Sequence, residues 1–460
     1  MTPKRTFGRK LGIFLGLVAL VFVAIQFVRP RLDNPPITGD LVAPPDVKAV
    51  LKRACYDCHS NETRLAWFDQ LEPAYWLVVD HIKKGRAVLN FSNWDALTKD
   101  QQKGKLFESL NQMVFNVMPL QQYTMVHTAA KLTPADLTVL KDYLGTLVQP
   151  LKMADTGANA RALAASTSPA PAGSHVSPHL PSGMNVAPVA NGLAYIPGWP
   201  DWQAISTTDR FDNGTMRVIY GNDVAVKAVK DHKTNPWPNG ATFAKVAWDQ
   251  ALAADGKVHP GKFIQVEFMV KDAEKYKTTY GWGFGRWKGT DLKPYGKDAL
   301  FTTECMNCHK PMQDNDYVFT TPINPVDAAL PDPAAFNPLE WKVITSSVNK
   351  TDGSMSTLYG NELAARAARA GGGQPYPAGA VLAWVSWLQR EDEHWYGANI
   401  PGAIRSIEKV TFINASNTPG QEASYDSYVG SPLRKIIEKD PVTVRDRVTY
   451  IGSLRNSVLP

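Results

Sequence analysis

Two short stretches bring together residue types that can do chemistry: Cys55-Tyr56-Asp57-Cys58-His59 and Cys305-Met306-Asn307-Cys308-His309. Both read Cys-x-x-Cys-His, the attachment pattern of c-type haem. On one helical turn, residues i and i+3 share a face, so two thiols can reach the two vinyl groups of one porphyrin as thioethers. The next residue is then carried under the iron, where His59 or His309 can donate an imidazole nitrogen. A zinc knuckle would want a matched second half for each cysteine pair, and a thioredoxin-like pair would sit in a βαβ context without the histidine. The two motifs use all four cysteines of the 460 residues, which excludes a disulfide scaffold. Two covalently attached haem c groups are therefore expected, with His59 and His309 as iron ligands. For the far side of the first iron, Met118 (before Pro119) and His127 compete with an open position, while His81 reads as structural.

Helices must hold the first motif. Val47, Val50, Leu51 and Ala54 recur at helical spacing and lead into Cys55. A closing helix starts at Thr133 as N-cap with Pro134 at the first position and Asp136 completing a box, before Leu137, Leu140, Leu144 and Leu147. Residues 41–150 thus read as a small helical domain, and 151–190, rich in Ala, Ser, Pro and Gly, as a flexible linker.

Beyond the linker the period changes to two. Residues 215–222, 242–248 and 263–271 are rich in aromatic and β-branched residues and predict strands. A shift of 139 positions superimposes Trp202 on Trp341, Gly214 on Gly353, Tyr220-Gly221-Asn222 on Tyr359-Gly360-Asn361, and Trp248 on Trp387 without a gap. One register held through Trp, Gly and Pro positions implies a duplicated domain, 191–335 and 336–460. Lys245 becomes Trp384 in the second copy, which has no cysteine and is expected to lack haem.

Charge narrows the setting. The net +6 is accounted for by Lys4, Arg5, Arg9, Lys10, Arg29 and Arg31, all before the first acidic residue, Asp33; the remainder is neutral, which removes the electrostatic argument for a nucleic-acid partner. The uncharged run Leu11–Val28 lies between these basic clusters and is followed by Arg-Pro-Arg. Residues 1–30 are therefore expected to form a cytoplasmic tip and a transmembrane signal anchor in the inner membrane, with the domains periplasmic. The fold class expected is multidomain α + β: a transmembrane helix, a small all-α cytochrome c-like domain and two mostly antiparallel β domains.

The stretches CYDCHSNETR (55–64), LNFSNWD (89–95) and MPLQQYTMVHTAAKLT (118–133) resemble the exported haem-binding domain family, in which the last motif is usually Met-Pro-Pro; Leu120 departs from it. MRVIYGNDVAVKA (216–228), PWPNGATFAKVAW (236–248), GKFIQVEFMVKD (261–272), GWGFGRW (281–287) and CMNCHKPMQDNDYVFT (305–320) resemble the cytochrome P-460 family over most of 195–322. That resemblance implies a mostly β fold and a five-coordinate haem c that oxidises hydroxylamine or binds nitric oxide. It also implies, in oxidising members, a lysine bonded to the porphyrin, for which Lys245 is the best match. From the residues alone, Lys245 shares a strand face with Phe243 and Ala247 and is either turned into a haem pocket or solvated. Glu267, with Gln265 and Met269 opposite an apolar row, either accepts protons in that pocket or is an exposed strand carboxylate. The leading expectation is a membrane-anchored dihaem cytochrome acting on a small nitrogen compound at His309 and passing electrons through the His59 haem to an exported redox partner. A nitric oxide sensor and a pure electron carrier are the competing classes.

Overall fold

The computed structural model describes residues 4–148, 186–326, 328, 330, 336–370, 375–414, 422–438, 440–457 and 459, with 4–8 as backbone only. The chain divides into two compact units, 1–148 and 149–460. Most of the expected linker lies outside the described residues.

The first unit is helical: α1 Lys4–Ile25, α2 Pro45–Ala54, α3 Tyr56–His59, α4 Ala74–Val88, α5 Lys99–Val114, α6 Gln121–Val126 and α7 Pro134–Thr146. Helix α2 buries the stripe Val47, Val50, Leu51 and Ala54, and stops where Cys55 leaves helical geometry. Helix α7 begins with the expected box: Asp136 N–H donates to Thr133 Oγ1, and Thr133 N–H to Asp136 Oδ2. Leu51, Ile82, Phe91, Phe107 and Leu110 are fully buried in the core of this unit.

The transmembrane helix expected from the sequence is corrected here. Among the described residues no helix is long and apolar enough to cross a membrane. Helix α1 ends at Ile25, so its uncharged part from Leu11 spans roughly 22 Å at ~1.5 Å per residue, short of the ~30 Å hydrocarbon core. The rest of the apolar run is taken into the domain: Gln26 donates to the Glu72 carbonyl and accepts from its N–H, and Trp76 donates to the Val28 carbonyl.

In the second unit the expected repeat is structural. Strands β1 Gln203–Arg210, β2 Thr215–Gly221 and β3 Thr242–Leu252 recur as β7 Lys342–Asn349, β8 Ser354–Gly360 and β9 Val381–Glu391 at the same offset of 139. Between β2 and β3 lies α8 Asp223–Lys230, and between β8 and β9 lies α10 Glu362–Arg369. Asn222 and Asn361 cap these two helices identically, each side chain accepting from the N–H three residues on. After that β4 Val258–Lys271, β5 Trp282–Lys288 and β6 Lys293–Pro294 correspond to β10 Ala398–Phe412, β11 Ala423–Val429 and β12 Arg434–Ile436. Each repeat then adds a helix, α9 Phe301–His309 in the first and α11 Pro441–Ser453 in the second.

The two repeats build one antiparallel sheet. β4 pairs β7 at Val258 and Val348, and β10 pairs β1 at Asn399 and Asp209, so β1-β2-β3-β4-β7-β8-β9-β10 closes on itself. One core lies across both copies, with Trp199, Trp248, Phe263 and Trp287 from the first and Val348, Met355, Tyr359 and Trp387 from the second. Without the second repeat, β1 and the first part of β4 would each present an unpaired edge.

Candidate functional site

The charged wall of the site follows from strand alternation. Ile219 on β2, Lys245 on β3, Glu267 on β4 and Arg286 on β5 stand opposite one another across three ladders, so their side chains share one face. Arg217 and Gln265 lie one step along that face, and Phe243, Met269 and Phe284 one step the other way. These residues line a cavity of about 320 Å³ together with Cys305, Cys308 and His309 of α9. The sequence-derived Lys245, Glu267, Cys305, Cys308 and His309 therefore meet in one place.

Helix α9 is held by Phe301 and Met306, both buried, and the polar strap after it orients the histidine. His309 Nδ1–H donates to the Tyr317 carbonyl at 2.7 Å, which leaves Nε2 with its lone pair free for a metal. Burial pushes His309 down to about 4, so the ring is neutral, as a ligand must be. Asp316 and Tyr317 both take positive φ, and Asp316 is fixed there by Lys271 Nζ at 2.7 Å, by the Trp237 N–H at 2.8 Å and by Trp282 Nε1, which donates to its carbonyl. Phe284 and Phe319 flank the imidazole at 5.2 and 5.0 Å between centroids.

Charge in the cavity is unevenly paired. Glu267 is bound by Lys245 and, at 2.5 Å, by Arg286 Nε. Burial would raise the Glu267 carboxyl, but these two cations outweigh it and hold it well below the usual carboxylate range. Burial depresses Lys245, with Glu267 opposing. Arg210 is neutralised by Asp212. Arg217 forms no ion pair among the described residues: its Nε is buried without a hydrogen bond, and burial together with Arg210 lowers it to about 9.

In the first unit His59 is set by close packing of α4. Its Nδ1–H is shared between the Gly85 and Leu89 carbonyls, each at 3.1 Å. Burial depresses this imidazole as well. A Cβ on Gly85 would stand 2.7 Å from the Cys58 carbonyl, so only glycine lets the helix approach the motif this closely. Burial raises the thiols of Cys55 and Cys58 to about 12 and about 11. Met118 lies half-buried between α5 and α6, and Tyr123 of α6 donates to Asp57 inside the motif at 2.7 Å. His127 stacks on Tyr123 and its Nε2 is taken by Asp69 at 3.0 Å; His81 is on α4.

Both sets of donors fit an iron porphyrin. Each offers two thiols in no disulfide beside a neutral, oriented imidazole, and the second adds a guanidinium, that of Arg217, whose buried Nε has no partner and suits a porphyrin carboxylate. The structure thus defines a haem protein with two modules of different fold. The comparisons agree: residues 20–146 match the model of the haem-binding domain, and residues 196–320 with 337–415 match that of cytochrome P460. The two matches thus pair a haem-binding domain with a cytochrome P460 domain, the second match reaching from the first repeat into the second as far as residue 415. A comparison with curated proteins gave no match.

Arg217, Arg286, Asp392 and Trp395 are among the cavity residues that escaped the sequence reading. Arg217 lies in the expected strand 215–222 and Arg286 in the stretch 281–287, but only the ladders place them on the pocket face, in line with Gln265 and Glu267. Asp392 and Trp395 line the same cavity from the second repeat and carried no signal.

Proposed function

We propose that the chain is a dihaem c-type cytochrome working outside the cytoplasm, in which the cytochrome P460 module oxidises hydroxylamine or a related small nitrogen compound. The observation that carries this reading is the meeting of Lys245 and Glu267 with Cys305, Cys308 and His309 in one cavity. A haem held there supplies an iron for the nitrogen atom and a first acceptor for its electrons. The chain's own residues do the rest. His309 presents Nε2 from one side, Lys245 stands where the family likeness implies a bond to the porphyrin, and Glu267 offers a carboxylate on the same wall. Phe243, Phe284 and Met269 make the adjoining surface apolar, which excludes water.

In the helical module Met118 would be the second residue to hold the iron, beside His59, since Nε2 of His127 is occupied by Asp69. A six-coordinate iron exchanges electrons with little rearrangement, which suits passage from the first haem to an exported redox partner.

Turnover of hydroxylamine with an artificial electron acceptor tests the reading. Oxidation is expected to require the Cys305–His309 haem; nitric oxide binding without turnover would replace the enzyme by a sensor. Mass spectrometry of the haem peptide containing Cys305 tests the lysine bond, which is lost as an idea if only two thioethers are found.

A further inference from the structure

The first repeat leaves one side of its cavity open, and the second repeat closes it. Asp392 and Trp395, in the turn between β9 and β10, and Ile400 on β10 line the cavity with His309 and Lys245. The turn is fastened to the haem repeat at several points. His394 Nδ1–H donates to the Phe319 carbonyl at 2.7 Å, and Trp395 Nε1–H donates to Asp212 at 3.1 Å. The Arg210 guanidinium lies 4.5 Å over the Trp395 ring, and Phe319 packs edge-on against that ring while flanking His309.

The arrangement is reciprocal. The matching turn of the first repeat, between β3 and β4, sends Asp255 and Lys257 to Tyr450 of α11 at 3.0 and 3.1 Å. There the space is filled, by Trp384, Tyr450 and an Arg447–Glu408 pair. Each turn covers the other repeat's pocket, and one pocket is open.

Two carboxylates line the open pocket, and they differ. Glu267 is doubly ion-paired. Asp392 accepts only the His394 backbone N–H, at 2.9 Å, and forms no ion pair among the described residues. The ionisable groups around it are Arg210, Glu393 and His394, and burial raises its carboxyl.

We infer that Asp392, supplied by the cofactor-free repeat, accepts a hydrogen bond from the N–H or O–H of a small nitrogen ligand in the haem cavity, with the Asp392–Tyr396 turn as the wall that limits access. The ligand class rests on the function proposed above. A repeat that has lost its own cofactor site thereby remains part of the working one.

Optical titration of the ferric haem in the full-length holoprotein tests this with two probes, hydroxylamine and nitric oxide; the second has no proton to donate. Asp392→Asn is expected to weaken hydroxylamine about tenfold, as loss of one charge-assisted bond requires, with nitric oxide within about twofold. Asp392→Glu keeps the carboxylate and should retain hydroxylamine affinity within about threefold. Trp395→Leu should speed nitric oxide association several-fold. The matched change at the reciprocal turn, Asp255→Asn, should alter neither probe. Equal loss of both ligands in Asp392→Asn, or no loss, overturns the assignment of Asp392, and an unchanged association rate in Trp395→Leu overturns the wall. Failure of the proposed function looks different: wild-type protein that binds hydroxylamine without oxidising it leaves Asp392 in place and removes the activity.

Discussion

Trp384 stands in the second repeat at the ladder position that Lys245 holds in the first, each directly opposite a glutamate, Glu408 and Glu267. Around Lys245 the strand face opens into a cavity; around Trp384 it is packed against Tyr450, with Arg447 chelating Glu408 at 2.6 and 2.7 Å. Truncating Trp384, which is 2% exposed, to alanine should cost ~3–5 kcal/mol. The denaturation midpoint should fall, while haem content under native conditions stays that of the wild type. Trp384→Lys should not create a second haem site in this unit, because α11 has no cysteine.

Glu267→Gln should unbalance the cavity. At neutral pH the variant leaves Lys245 and Arg286 without their shared counter-ion, at a cost of ~2 kcal/mol, low for a broken pair because about a third of each cation's side chain is exposed. The carboxyl's folded value is depressed, so its contribution is complete above the unfolded value near ~4.3 and is lost as the pH falls toward the folded one. The stability gap between wild type and variant, read from urea midpoints, should therefore narrow below about pH 4. A gap that widened on acidification would reverse the assigned direction.

What was legible in the sequence was what is local or periodic. The two Cys-x-x-Cys-His motifs are contiguous, α7 announces itself through Thr133, Pro134 and Asp136, and the offset of 139 holds through β1, β2, α8 and β3. It slips to 141 at Glu267 and Glu408, after the irregular pairing around Ile404, where a fixed offset loses the correspondence. Closure of the two repeats into one sheet was not legible, because it rests on brief contacts such as Val258 with Val348, distant in sequence. For the same reason Asp392 and Trp395 could not be assigned to the cavity from composition or spacing. The apolar run at Leu11–Val28 misled in the opposite direction: hydropathy alone does not see Gln26 bonding back to Glu72 and ending the helix.

Gly85→Ala should disturb the haem proposed for the helical module, although Gly85 is not itself a proposed ligand. The added methyl would meet the Cys58 carbonyl at 2.7 Å and lie 3.3 Å from His59 Cε1. Overpacking of this kind costs ~1–3 kcal/mol, and here the neighbour that must yield is backbone of the motif itself. The expected result is reduced haem incorporation in the helical module and a shifted midpoint potential, with the ligand-binding spectrum of the second haem unaltered. Gly104, on an open face of α5, is the control: nothing lies within 4 Å of its added Cβ, and alanine there should stabilise by up to ~1 kcal/mol through helix propensity.

Asp316→Ala should show how far His309, the proposed iron ligand, depends on a residue that never touches it. The carboxylate holds Lys271, and the two side chains are 9% and 8% exposed, so its removal strands a buried ammonium and costs ~3–5 kcal/mol. The same carboxylate accepts from the Trp237 N–H, and together these bonds pin the left-handed backbone at Asp316 and Tyr317 that aims the Tyr317 carbonyl at His309 Nδ1. Loosening that carbonyl removes the bond that fixes the imidazole's tautomer and raises its basicity, so the midpoint potential of the second haem should rise. Asp316→Asn keeps an acceptor for the Trp237 N–H and loses the charge; it should recover part of the stability and most of the potential. Equal potentials in wild type and both variants, alongside the expected loss of stability, would make Asp316 a brace for the fold alone.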